Sequence, residues 1–197
     1  MEPFVRRALR SSTSIFDAFV NEIAAYTPRT IPEIKQRQKK KGDIWEEFCR
    51  EYLVCKGYTN VRLLQDIPGD ELATLSLRTK DMGIDIVAYD ALRPVAVQCK
   101  FRNTGAISWR QLSTFEALCA RTGPWHRHIV MTNATAVRRE GRKQFVDMTI
   151  SRPTFECLQR HEWTRLAGYN EGNVLSVNPV SVAEMNAARH KWLARFV

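Results

Sequence analysis

The sequence predicts an α/β domain: a mixed central β-sheet flanked by helices, with additional helices at both ends. Three patterns predict it. Two apolar runs, "IDIVAY" (84–89) and "VAVQCKF" (95–101), are joined by the short connection "DALRP" and read as a hairpin. Two later runs, "HIVMT" (128–132) and "DMTI" (147–150), alternate with helical patterns, as crossover connections do. Ahead of them, Trp45, Phe48, Cys49, Tyr52 and Leu53 recur at the spacing of one helix face.

Along the chain, residues 14–27 read as a short amphipathic helix carrying Phe16, Phe19, Val20 and Ile23. The break "TPRTIPE" follows, with Thr30 and Glu33 spaced as a capping box. "KQRQKKKGD" (35–43) is a run of like charge, read as a solvated face or linker. From Ile44 the helical pattern is strong, and Gly57 is placed to end it. "NVRLL" (60–64) reads as a strand, and "PGDELATLSLRTKD" has room for a helical turn. Beyond the hairpin, Ser108 and Gln111 form a capping box ahead of a helix to about Arg121. "TAVRREGRKQF" (135–145) reads as a basic helix. Pro153 suits the first turn of a helix through Leu158, and Ser181 with Glu184 caps a final helix bearing Trp192 and Phe196.

The 197 residues fit one domain with appendages, and 44% hydrophobic residues can bury a sizeable core. No apolar run approaches the roughly 18 residues of a membrane span. The start is basic and Ser-rich but lacks a signal-peptide core, and Glu2, Asp17 and Glu22 argue against a mitochondrial transit segment. A formal charge of +9 points to a polyanionic partner, most simply nucleic acid. Five cysteines without a CxxC pair point to reduced, mainly buried thiols and an intracellular, reducing compartment, cytoplasm or nucleoid or nucleus.

Against this apolar background three polar residues need a reason. Side chains alternate along a strand, so Gln98 and Lys100 share one face and Val97, Cys99 and Phe101 the other. A hairpin register placing Asp85 opposite Gln98 or Lys100 brings all three together. A second acid comes from the helix after Ile44. At about 100° per residue Glu46 borders its apolar face, while Glu47 and Glu51 turn to solvent. Two carboxylates and an amide oxygen are hard ligands suited to Mg²⁺. A divalent ion there makes water a better nucleophile and neutralises a phosphodiester, and a lysine ammonium stabilises the developing charge.

"GID" (83–85), twelve intervening residues and "QCK" (98–100) resemble the PD-(D/E)xK nuclease superfamily, in particular its Mrr-like restriction endonuclease branch, where glutamine replaces the second acid. The helix "WEEFCREYLVCKGY" (45–58) resembles that branch's opening helix, whose acid stands eleven residues before the glycine of the closing Gly-Tyr, at Glu46. "HIVMTN" and "VDMTISRPTFECL" resemble its later strands and helix. The resemblance spans roughly residues 42–160. It implies a restriction-endonuclease-like core at 42–160, an N-terminal helical extension and basic linker at 1–41, and a C-terminal helical extension at 161–197. It further implies a metal-dependent DNA endonuclease with Glu46, Asp85, Gln98 and Lys100 as catalytic residues. Asp85, Glu46, Gln98 and the Cys99 backbone carbonyl would hold Mg²⁺, with Mn²⁺ as substitute. Such domains are often fused to helicase or ATPase modules and often dimerise, so a DNA-processing partner and a homodimer are expectations. A catalytically inactive module for DNA binding or assembly is the alternative, and an RNA-processing nuclease a third reading.

Three points stay open on the residues. Asp81 is a second nearby acid, and Asp85 is preferred on the "GID" match and strand placement. Candidate nucleic-acid contacts are Lys39, Lys40, Lys41, Arg102, Trp109, Arg138, Arg139, Arg142 and Lys143, each with a plain alternative as a solvated or packing residue. His126 and His128 alternate on one strand and are weighed as metal ligands against surface or packing residues.

Overall fold

A computed structural model describes residues 1–12, 14–27, 31–78, 80, 83–102, 105–138 and 146–168. Five strands form the main sheet: β1 (Thr59–Leu63), β2 (Ile86–Asp90), β3 (Arg93–Lys100), β5 (Arg127–Thr132) and β7 (Met148–Ile150), in the order β1-β2-β3-β5-β7. The first two pairings are antiparallel and the last two parallel. β4 (Ile107–Ser108) and β6 (Val137–Arg138) make a separate parallel pair. The mixed sheet with a leading hairpin and later crossovers is the architecture the sequence predicts. The hairpin turns on Ala91 and Leu92 alone, both at positive φ (48° and 68°), which a two-residue type I′ turn requires.

The sheet has helices on both faces. Alternation sends Ile86, Ala88, Val95, Val97, Cys99, Ile129 and Met131 to one side. There they meet α1 (Glu2–Ala8), α2 (Ile15–Ala24), α3 (Ile31–Cys55), α6 (Arg152–Glu156) and α7 (Arg160–Leu166). Val87, Tyr89, Ala96 and Val130 face the other side, under α4 (Gly69–Thr74) and α5 (Ser113–Cys119). The first layer is knitted by aromatic rings. Phe48 of α3 lies 4.6 Å from Phe19 and stacks on Trp163 at 5.5 Å, and Phe16 stacks on Phe155 at 5.5 Å. Such pairs add about 0.5–1.5 kcal/mol each beyond area burial. The helices assigned to the two extensions therefore share one core with α3.

Several local expectations hold. The helix expected over 14–27 forms as α2, and Ser14 caps it, its Oγ accepting from the Asp17 N–H at 3.2 Å. Gly57 (φ 88°) closes α3, and the Tyr58 N–H returns to the Leu53 carbonyl at 3.1 Å, the bond of a Schellman stop. Ser108 and Gln111 form their capping box, opening on a 3₁₀ turn (Trp109–Leu112) before α5.

Others are corrected. The charged run 35–43 is helix, not linker: α3 starts at Ile31, because Lys, Gln and Arg are good helix formers and Lys39 pairs with Asp43 at i,i+4. The segment read as a basic helix opens as β6, where β-branched Val137 pairs with Ile107; its residues 139–145 lie outside the described residues. Two helices were not anticipated. α1 has Pro3 in its first turn, and α7 has a Gln159–Glu162 capping box whose unusual Gln cap hid it. The Thr30–Glu33 box and the helix after Ser181 also lie outside the described residues.

Candidate active site

The site is built where β2 begins. Ile86 pairs with Val97, yet the Asp85 N–H also bonds to the Val97 carbonyl, at 2.9 Å. Two residues thus address one, the arrangement of a β-bulge, which re-aims a side chain. The Asp85 carbonyl accepts from the Leu64 N–H at 2.9 Å, and its carboxylate Oδ2 accepts the Cys99 N–H at 2.6 Å. Asp85 therefore does not stand in a regular ladder opposite Gln98 or Lys100. It clasps the β3 backbone on both sides of Gln98. The preceding Gly83 is at φ 119°, and a Cβ there would lie 3.0 Å from the Phe115 backbone nitrogen. Only glycine allows the chain to enter the bulge this close to α5.

Glu46 arrives from α3. Its neighbour Trp45 is fully buried and donates its indole N–H to the Met131 carbonyl at 3.4 Å, tying the helix to β5. Burial, then the nearby charges of Asp85 and Asp43, push the Glu46 carboxyl up to about 7, against the opposing pull of Lys39 and Lys100. Burial raises Asp85 too, while the Cys99 N–H and the Lys100 ammonium favour its ionised form. Glu47 and Glu51 both pair with Arg50, at 2.9 and 2.7 Å.

Gln98 and Lys100 share the opposite strand face from Cys99, as alternation predicts. Gln98 is 2% exposed, and its Oε1 is buried without a hydrogen-bond partner among the described residues, a cost of about 1–3 kcal/mol. Lys100 ends β3 opposite Thr132 and forms no ion pair with a described residue. Cys99 directs its N–H toward Asp85, and an extended residue sends its carbonyl to the same side.

The structure thus brings Glu46, Asp85 and Lys100 within electrostatic reach, with Gln98 in the strand that Asp85 clasps. Among the described residues no three His, Cys, Asp or Glu side chains form a metal-holding group. The donor set here is two carboxyls and an amide. The two carboxyls suit a divalent cation, since both are held above their ordinary range and a cation would relieve that; the buried Gln98 Oε1 has no partner among the described residues. His126 and His128 instead face separate acids, Asp90 at 3.9 Å and Asp147 at 3.2 Å. Asp81 lies outside the described residues.

The basic candidates divide. Lys39 and Lys40 are exposed and border a groove of about 250 Å³ that Glu46, Asp43 and Gln65 also line. Asp43 and Gln65 were not singled out from sequence, since neither stands in a recognisable spacing. Lys41 is corrected: it is 5% exposed and its ammonium donates to the Ala24 carbonyl at 2.5 Å, finishing α2 instead of meeting solvent. Trp109 is partly buried against the second core cluster, the packing alternative. Arg102 follows Lys100 with its backbone held by Asn133. Arg138 lies in β6, and Arg139, Arg142 and Lys143 lie outside the described residues.

A family model of the Mrr catalytic type, described as a restriction endonuclease, matches residues 51–166. The match takes in Asp85, Gln98 and Lys100 and begins after Glu46. No curated protein and no solved structure matches the chain.

Proposed function

The chain belongs to the restriction endonuclease family, and from that premise we propose that it is a divalent-metal-dependent DNA endonuclease acting through Glu46, Asp85, Gln98 and Lys100. The observation that carries this reading is the meeting of two partly buried carboxyls, both held above their ordinary range, with Lys100, which ion-pairs with no described residue, beside them. Burial of this kind is costly, and catalytic sites are where such costs concentrate.

In this reading Asp85 and Glu46 would hold the ion, with Mg²⁺ expected and Mn²⁺ as substitute, and the Gln98 Oε1 and the Cys99 carbonyl would be its further oxygen donors. The ion, when bound, neutralises the phosphodiester and makes water a better nucleophile. The Asp85 carboxylate stays anchored by the Cys99 N–H, so its free lone pairs are fixed in direction. Glu46 would act as a ligand in its ionised form. Lys100 orients the attacking water and stabilises the negative charge that builds on the phosphoryl oxygens, a contribution of about 10²–10³ in rate. Because Gln98 is neutral, Glu46 supplies the second negative charge.

The test is cleavage of plasmid and linear DNA with Mg²⁺ or Mn²⁺, beside matched RNA, by wild type, Asp85→Ala and Lys100→Ala. Cutting by wild type alone, with both variants folded, supports the reading. Wild type that binds DNA without cutting, and binds equally well as Asp85→Ala, overturns it in favour of a non-catalytic binding module. Cutting of RNA but not DNA overturns the substrate.

A further inference from the structure

The β3–β5 ladder stops at Lys100 and Thr132. Just beyond, a side chain takes over from the backbone. The Asn133 Oδ1 accepts the Arg102 N–H at 2.6 Å, and the Asn133 Nδ2 donates to the Arg102 carbonyl at 2.6 Å. One carboxamide thus satisfies both backbone groups of one residue, as a neighbouring strand would. The corner that presents it is buried. Thr132 is 0% and Asn133 5% exposed. Thr132 Oγ1 accepts the Ala134 N–H at 3.1 Å, which turns the chain out of the sheet, and the Ala134 carbonyl accepts the Arg152 N–H at 2.9 Å. The clamp is therefore set on a rigid support.

Its object is a residue whose side chain no described residue holds. The Arg102 side chain is half-buried, and its guanidinium bonds to no described residue. Arg102 stands two residues after Lys100, about 6.6 Å along an extended chain. We propose that Asn133 is a positioning residue that extends β3 past Lys100 and thereby aims the Arg102 guanidinium at the phosphate next to the scissile one. The inference rests on the nuclease reading and deepens it: it assigns a second phosphate subsite and the residue that builds it. A guanidinium on a fixed backbone meets a phosphate bidentately, which a mobile one does less well.

The experiment is a double-mutant cycle on binding of a short labelled duplex DNA, in EDTA to prevent turnover and across a salt series. Its variants are Asn133→Ala, Arg102→Gln and the double. Each single variant should bind about tenfold more weakly at low salt and lose about one from the salt slope. The double should bind no more weakly than either single, because Asn133 acts through Arg102. Asn133→Leu keeps the shape and adds no charge but loses both bonds to Arg102; its defect should disappear in the Arg102→Gln background, and it carries the test if Asn133→Ala does not fold. Additive losses, or wild-type binding by Asn133→Ala beside weak binding by Arg102→Gln, overturn the inference and leave the nuclease reading standing. Wild type that binds no DNA overturns both.

Discussion

Replacing Glu46 by glutamine should stabilise the protein, and more so at high pH. The rise of the Glu46 carboxyl from 4.5 to about 7 corresponds, at about 1.4 kcal/mol per pH unit, to roughly 3 kcal/mol of opposition to folding with the group ionised. Glu46 is only partly buried, so solvent screening lowers this to about 2 kcal/mol. The folded state binds this proton more tightly than the unfolded chain. Stability from this group is therefore full below about pH 4.5, falls as pH rises to about 7, and is flat above. Glutamine has the same shape and no charge to bury. Urea unfolding in EDTA should show Glu46→Gln more stable than wild type by about 2 kcal/mol at pH 8, and by less than about 1 kcal/mol at pH 5. Added Mg²⁺ should close the gap at pH 8, because wild type binds the ion better. An equal difference at both pH values, or a variant less stable at pH 8, would refute the burial of Glu46 beside Asp85 that raises its carboxyl.

Asp85→Asn keeps an acceptor for the Cys99 N–H while removing the charge; metal-dependent cleavage should fall by at least about 10³, with a melting temperature close to that of wild type by calorimetry. Gly83→Ala puts a Cβ 3.0 Å from the Phe115 backbone nitrogen at φ 119°, so chemical denaturation should show a loss of about 1–3 kcal/mol and cleavage should fall with the displaced bulge. Lys41→Met removes the donor from the Ala24 carbonyl and should cost about 1–3 kcal/mol in stability without altering DNA affinity. Lys40→Ala should do the reverse, lowering the slope of binding against salt by about one with an unchanged unfolding midpoint.

The parts of the fold legible in sequence are those written in local periodicity. The β2–β3 hairpin shows as two alternating runs around a short connection, and the aromatic face of α3 as a helical stripe. Lys100 and Gln98 follow from alternation alone, and Glu46 from the position of its side chain around the helix. The bulge at Asp85 was not legible, because it depends on a carboxylate competing with a carbonyl for the Cys99 N–H. Burial of Lys41 depends on the Ala24 carbonyl seventeen residues away, whereas its immediate neighbours are all polar. The β4–β6 pair joins two segments of two residues each, too short for any pattern. Asn133 is placed near the site in sequence only by the family resemblance of "HIVMTN", and its bonds to the Arg102 backbone show once the two are side by side.

The two-residue hairpin also bears on the order of assembly. β2 and β3 close over the shortest connection in the main sheet, so little chain entropy opposes their meeting. Glu46 reaches Asp85 only when α3 docks through its rings, across a far longer stretch of chain. The repulsion between the two acids then belongs to the last stage of folding, after the hairpin has formed. Stopped-flow chevrons at pH 8 should show Glu46→Gln slowing unfolding with its refolding rate nearly unchanged. Equal changes in both limbs would mean that the acids already oppose each other in the transition state.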